Sequence, residues 1–230
     1  DKLSTKQKEL VYYLSEAALC GRDIIYAQNC SENLVIRKTL EELYTKFPGD
    51  KTTDEWKKFE VYLKRIWASN GIHHHYSEKK ILPEFSPVYL KMLFDNTPTA
   101  DLPLNENVSN AKLRFTGKFS STIFSPTYLS KGVVKDKGVD KIAASSNNYY
   151  DNSIKETDVE AYYKKLFEAY GEEAPSLGLN SKLVRADGYF KEEVYKVGGL
   201  YSASIEKIVF WLEKAVKVAE NPQQQKYLEL

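Results

Sequence analysis

Three consecutive histidines, His73-His74-His75, followed by Tyr76 and then Lys80, are the densest group of chemically versatile side chains in the chain. A neutral imidazole donates and accepts hydrogen bonds at once, which suits the handling of a peptide carbonyl or amide. On an extended chain His73 and His75 share one face and His74 points the other way. Adjacent imidazoles also suggest a metal. Catalytic zinc, however, takes ligands that converge from a helix turn, as in H-E-x-x-H, with a carboxylate base between them. No such spacing occurs in this sequence. From the residues alone a metal site, a polar substrate site, a structural site and a solvated loop all stay open.

Other candidates are weaker. The two cysteines, Cys20 and Cys30, are too few for a disulfide framework or a four-thiolate zinc knot, which leaves one short-range bridge or two reduced thiols. Gly198-Gly199 before a helix lacks the dinucleotide fingerprint and the P-loop ending, so a flexible joint is the expected role. Asn147-Asn148-Tyr149-Tyr150-Asp151 either lines a cleft or serves as loop chemistry. The 17 tyrosines suit a peptide- or sugar-contacting surface, although most read as helix-face packing. Glu41-Glu42 and Glu192-Glu193 have the spacing of solvated faces and not of a magnesium site. There is no G-x-S-x-G elbow and no complete catalytic constellation.

The elements that must position these groups are mostly helical. Ser4 with Gln7 forms a capping-box pattern ahead of Leu10, Val11, Leu14, Ala17 and Ala18, with Gly21 expected to end or bend that helix. A second helix follows Ser31, carries Leu34, Ile36, Leu40, Leu43 and Phe47, and stops at Pro48-Gly49. A third starts after Thr53, carries Trp56, Phe59, Leu63, Ile66 and Trp67, and ends at a left-handed Asn70-Gly71 stop, so the histidines emerge on a loop from its end. Ser86-Pro87 opens a short fourth helix through Phe94. Periodicity fades from Asn96 to Ser153, where runs such as 112–115 and 123–124 fit helix or strand equally. Thr157 and Glu160 make another capping box before Val159, Tyr162, Leu166, Phe167 and Tyr170. Asp187-Gly188 between two apolar runs predicts a β-hairpin continuing to Val197, and a long helix carries Ile205 to Ala219 before a break at Asn221-Pro222.

The charge balance, 33 Lys+Arg against 32 Asp+Glu, supplies no basic stripe for phosphates, so nucleic acid is not an expected partner. No apolar run approaches the roughly 20 residues that cross a bilayer, and no membrane contact is expected from this segment. Asp1 at the start and the helix-forming stretch up to Leu230 suggest a piece of something longer.

Several segments together resemble the Bacteroidetes-type dipeptidyl peptidase III, a zinc metallopeptidase family that releases dipeptides from peptide N-termini. They are Lys6-Gln7-Lys8-Glu9-Leu10-Val11-Tyr12-Tyr13-Leu14-Ser15-Glu16-Ala17-Ala18-Leu19 with Gly21-Arg22-Asp23-Ile24, and Val61-Tyr62-Leu63-Lys64-Arg65-Ile66-Trp67 with Ser69-Asn70-Gly71-Ile72-His73-His74-His75-Tyr76. Gly178-Leu179-Asn180-Ser181-Lys182-Leu183-Val184 and Lys196-Val197-Gly198-Gly199-Leu200-Tyr201 with Ile205-Glu206-Lys207-Ile208-Val209 continue the likeness. It covers nearly the whole chain and is weakest from Asn96 to Ala144.

The resemblance implies an interior fragment of a two-lobed enzyme, one lobe helical and zinc-bearing, the other built on a β-barrel core that binds the peptide. The family's zinc ligands and its glutamate base have no counterpart here, so zinc belongs to the parent protein and the 230 residues are expected to be inactive alone. A family segment of the form Asn-Tyr-x-Ser-Phe-Gly-Asp-x-Lys, two residues and Pro lies at the cleft. With Lys80 and Pro83 in register, its Tyr falls on His73, and His75-Tyr76-Ser77-Glu78 replace the Ser-Phe-Gly-Asp part. His73 or Tyr76 is then the candidate hydrogen-bond donor to the developing oxyanion. Asn70, Gly71, His73, His75, Tyr76, Lys80 and Asn180 are the candidate substrate-binding residues, and short peptides the expected substrate.

The expected architecture is α+β, predominantly helical with a small antiparallel hairpin. It divides into a helical segment 1–95 ending in the histidine loop, an irregular region 96–153, a helix and hairpin of the peptide-binding lobe at 154–197, and a crossing helix at 198–230. The last two helices are expected to expose apolar surface that drives an artificial dimer. A cytoplasmic location is expected, although an exported parent fits as well. The rival reading is a stand-alone peptide-binding or interaction domain without catalysis. A Nudix-type hydrolase is disfavoured because its glycine-led helix with Arg-Glu and Glu-Glu pairs is missing.

Overall fold

A computed structural model describes residues 2–98, 102–103, 110–171, 177–178 and 180–229. Asp1, Leu179 and Leu230, which figure in the sequence argument, lie outside the described residues. The elements in chain order are α1 (Thr5–Asn29), α2 (Asn33–Lys46), α3 (Asp54–Ser69), α4 (Pro87–Asp95), α5 (Ala111–Phe124), α6 (Lys141–Ala144), α7 (Glu156–Tyr170), β1 (Ser181–Ala186), β2 (Tyr189–Val194), α8 (Ser202–Lys217) and α9 (Pro222–Glu229). The chain is mostly helical with one small antiparallel sheet, an α+β composition.

Local chemistry sets most of the boundaries. The Ser4 hydroxyl accepts from the Gln7 amide (3.2 Å) and the Gln7 side chain accepts from the Ser4 amide (2.9 Å), a reciprocal cap at the start of α1. Thr53 caps α3 through the Trp56 amide, and Asn70 ends that helix at φ 50°. Ser86 caps α4, with Pro87 in the first turn. Two expectations are corrected. Gly21 neither ends nor bends α1, which runs on to Asn29; the space a side chain would fill there is bordered by Ile208 of α8 at 3.5 Å. The capping box assigned to Thr157 gives way to Asp140. Its carboxylate caps α6 through the Ile142 and Ala143 amides and also accepts from the Glu156 amide at the start of α7. Those amide bonds hold the Asp140 carboxyl below the usual range, that of Ala143 foremost.

The contacts group the chain into two units, which cut across the successive segments of the sequence. One comprises residues 26–148 and 152–157 and holds the main core. Its apolar positions on α2, α3, α4 and α5 converge: Ile36, Leu40, Leu43, Phe59, Leu63, Ile66, Leu90, Leu93, Phe94 and Ile123 are all essentially inaccessible to water. Aromatic rings join them, with Trp56 stacked on Tyr44 and on Phe47 (5.4 Å each) and Phe94 edge-on to Phe119 (5.5 Å). At about 1.5–3 kcal/mol for each large apolar side chain buried, this cluster is the main source of the unit's stability. Residues 112–115 and 123–124, readable either way in the sequence, are helix, and their aromatic members pack on this core.

The other unit comprises residues up to Ile25, 149–151 and 158 onward. The Asp187-Gly188 turn has both residues at positive φ (50° and 84°) and joins β1 to β2 in the register Ser181↔Val194 through Ala186↔Tyr189. The strand ends at Val194, short of the expected Val197. Residues 149–151 run alongside β1, with the Leu183 amide donating to the Tyr149 carbonyl and the Asp151 amide to the Leu183 carbonyl. Gly199 fits where a side chain would meet the Val194 carbonyl, and the Gly198 amide donates to Ser202, so this pair is a joint. Tyr13 stacks on Trp211, tying α1 to α8. Val209 and Phe210 on α8 and Tyr227 on α9 are exposed, as are Phe167 and Tyr170 of the α7 stripe.

Candidate functional site

The segment after α3 is placed by a residue with no motif. Asn33, fully buried at the first turn of α2, donates from its side-chain nitrogen to the Tyr26 carbonyl (3.2 Å) and accepts from the Ile72 amide (3.0 Å). Gly71 passes directly over that amide group at φ 143°, where an added Cβ would lie 2.1 Å from the Asn33 nitrogen. Only glycine fits there. Asn29 adds a bond to the Asn70 carbonyl (3.1 Å).

Beyond Ile72 the chain makes a tight hairpin. His73 pairs with Lys80 and Lys79 with Lys131, both antiparallel. The His74 amide donates to the Lys79 carbonyl (2.8 Å), the Glu78 amide to the His74 carbonyl (2.9 Å) and the Gly132 amide to the Glu78 carbonyl (2.8 Å). The turn separates the side chains that an extended chain would put on one face: His73 is buried, whereas His75 is exposed.

His73 Nε2 donates to the Leu129 carbonyl at 2.8 Å, and Nδ1 is buried without a hydrogen-bond partner, which fits the neutral ring. Burial lowers its pKa below the ordinary value, with the nearby Lys80 charge acting in the same direction and the Leu129 bond opposing. Lys80 Nζ donates to the carbonyls of Thr122 (2.5 Å), Ser125 (2.8 Å) and Tyr128 (2.8 Å), filling the open carbonyls at the end of α5. Burial pulls its pKa down to about 8. Cys30 is buried and pushed up to about 11, again mainly by burial, whereas Cys20 is half-buried; both are free thiols. Cys20 lies within α1 and Cys30 just after its end, and ten residues of helix rise separate them by about 15 Å, too far for a bridge.

The tip carries the accessible chemistry. His74 and His75 stack at 4.8 Å with ring planes 19° apart, and Tyr76 leans on His75 at 4.3 Å. His74 Nδ1 accepts from the Tyr76 and Ser77 amides (3.3 Å each), which leaves the proton on Nε2. His75 Nδ1 lies 3.4 Å from the Ser69 hydroxyl, and Tyr76 is 85% exposed. Beside the tip lies an open depression of about 530 Å³ lined by Arg65, Ser69, His74, His75, Lys79 and Leu82. Arg65 is held by Glu84 at 2.7 Å. The arrangement offers imidazole, phenol and ammonium donors to the carbonyl groups of an extended ligand.

Of the sequence-assigned residues, Asn70, Gly71, His73, His75, Tyr76 and Lys80 lie on this one segment, and Asn180 belongs to the other unit. Asn180 contributes its carbonyl to the Tyr195 amide (2.8 Å) beside β1. Asn147 and Asn148 are held to backbone, the Asn147 amide donating to the Gly132 carbonyl and the Asn148 side chain to the Ala27 carbonyl. Asn33, Ser69 and Arg65 were not singled out by the sequence; a buried asparagine in an apolar helix stripe was the one available signal. Among the described residues no group of three or more His, Cys, Asp or Glu could hold a metal ion, so nothing in them fits the zinc that the resemblance implies. No helix among them is long and apolar enough to cross a membrane. Searches of protein-family models and of curated proteins find no match to this chain.

Proposed function

We propose that this chain forms part of the peptide-binding cleft of a zinc-dependent dipeptidyl peptidase resembling dipeptidyl peptidase III, and that its own role is to present the His74–Tyr76 turn to the substrate backbone. The observation that carries this reading is a stacked trio of donor rings, exposed at the tip of a hairpin whose base is fixed by buried polar bonds. Fixed donors in a concave polar surface are what carbonyl recognition and oxyanion stabilisation require. Between the two candidate donors, the commitment of His73 Nε2 to the Leu129 carbonyl and the exposure of Tyr76 favour Tyr76. Zinc and the general base would come from other parts of the protein, and no step is assigned to them here.

The test is hydrolysis of a dipeptidyl-naphthylamide by the 230-residue chain and by the full product of its gene, each with and without zinc. Zinc-dependent release by the full product alone is the expected result. A full product that binds peptides without cleaving them would replace this reading with that of a peptide-binding domain.

A further inference from the structure

We propose that a second cavity, between α2 and α5, binds an amphiphilic carboxylate: an apolar chain of moderate length ending in a single acid group. The cavity has a volume of about 480 Å³, within the range of about 300–1,000 Å³ typical of small-molecule sites. Its lining is apolar where it meets the core, with Ile36 and Phe119 almost fully buried and Phe115 and Val35 beside them. Protein interiors close around voids of this size unless something fills them, and water gains little against such walls.

The polar lining has a definite sign. Arg114 and Lys118 of α5 are set against one acid, Glu32, whose carboxylate lies 3.5 Å from Lys118 in a solvent-accessible pair. Such a pair is weak and readily exchanges partners. Glu32 also stands at the amino end of α2 without making a side-chain cap, so the positive end of that helix adds to the field. An anionic head is favoured by these charges, and an apolar tail fills the Ile36, Phe115 and Phe119 surface. A small inorganic anion would leave that surface wet, and a neutral hydrocarbon would gain nothing from the two cations. This site is distinct from the depression beside His74 and His75, and it stands whether or not the peptidase reading does.

The experiment is a titration of the isotopically labelled 230-residue chain with decanoate, below its micelle-forming range, and with decanol as the neutral counterpart. Saturable amide shifts centred on Val35, Ile36, Phe115 and Phe119 are expected, with decanol bound roughly tenfold more weakly. Arg114→Gln should weaken decanoate by roughly fivefold and leave decanol unchanged. Ala111→Trp should fill the cavity and remove both; if that variant fails to fold, the Arg114→Gln comparison still decides. Equal binding of decanol and decanoate, shifts that map elsewhere, or no saturation at millimolar decanoate would each overturn the proposal.

Discussion

His73 and Lys80 face each other across an antiparallel bridge and grip the same stretch of chain from its two sides. His73 Nε2 holds the Leu129 carbonyl, while Lys80 Nζ holds those of Thr122, Ser125 and Tyr128. Both legs of the hairpin are thereby fastened to the end of α5 and the turn that follows. That anchoring is what allows the tip to display its rings without collapsing onto the surface.

Replacing Lys80 with methionine keeps most of the stem packing and removes the ammonium that serves three carbonyls. Hydrogen bonds to a charged group contribute about 1.5–3 kcal/mol, and the orphaned carbonyls here are partly reachable by water. A loss of about 2–3 kcal/mol is expected, read from denaturant unfolding followed by amide signals of the α2–α5 core. A change below about 0.5 kcal/mol would mean that the carbonyls are as well served by solvent.

His73 makes stability depend on acid. Its folded pKa lies below the ordinary 6.5 because burial disfavours the imidazolium. Below pH 6.5 the unfolded chain therefore binds a proton that the folded chain refuses, and stability falls as pH drops toward the folded value. His73→Gln retains a donor near the Leu129 carbonyl and cannot titrate, so its unfolding midpoint should be flatter between pH 6.5 and 5. Parallel pH profiles for the two proteins would show that His73 is protonated as easily in the fold as out of it.

Much of this scaffold was legible in the sequence, because caps and turns are local. Ser4 with Gln7, Thr53, Asn70-Gly71, Ser86-Pro87 and Asp187-Gly188 each act within a few residues, and each marks an observed boundary. What local pattern could not supply was pairing at a distance. Asn33 holds Ile72 across 39 residues, Lys80 reaches carbonyls more than 40 residues on, and Asp140 displaces Thr157 as the cap at α7. Gly21 read as a breaker because its close neighbour, Ile208, lies far along the chain. Extended-chain alternation misjudged the histidines for the same reason, since the hydrogen bonds that turn the chain after His74 are made to Lys79 and Glu78.

The Asn33 and Gly71 contact predicts an unusual sensitivity at two small residues. Asn33→Leu leaves the Ile72 amide and the Tyr26 carbonyl without partners in a dry environment, at a cost of about 2–4 kcal/mol. Gly71→Ala suffers from its positive φ and from the collision with the Asn33 amide, and should cost at least about 2 kcal/mol. Pairing Gly71→Ala with Asn33→Ala should relieve the collision and leave the backbone strain, so the double variant costs less than the sum of the single ones. Strict additivity in the cycle would separate the two residues energetically.

The two thiols should behave differently. Cys30 is buried with its pKa at about 11, and Cys20 is partly accessible. A thiol reagent at neutral pH should modify one cysteine of the native chain quickly and the second only as the protein opens. In alkali the unfolded Cys30 ionises near 9.0 while the folded one resists until about 11, so this group lowers stability as pH rises through that window. Lys80 acts oppositely from about 8 to 10.5, because its folded form releases a proton first. Cys30→Ala should therefore show a more favourable alkaline slope than the parent, whatever its stability at pH 7. Equal slopes would place the Cys30 thiol in contact with water.

Tyr76 and His75 test whether the tip does more than decorate the hairpin. Tyr76 is almost fully exposed, and its hydroxyl accepts or donates no hydrogen bond within the described residues, so Tyr76→Phe should leave stability within about 0.5 kcal/mol. If the tip recognises a peptide carbonyl through that hydroxyl, the same change should weaken binding of a tetrapeptide to the 230-residue chain by roughly three- to tenfold. In the full gene product it should lower kcat more than it raises KM, since an oxyanion donor acts chiefly in the transition state. His75→Ala removes the ring between Tyr76 and His74 and should impair both quantities together by freeing Tyr76 to move. A Tyr76→Phe protein with unaltered peptide affinity and unaltered turnover would exclude the phenol as the donor and return that role to the buried His73 or to a group outside this chain.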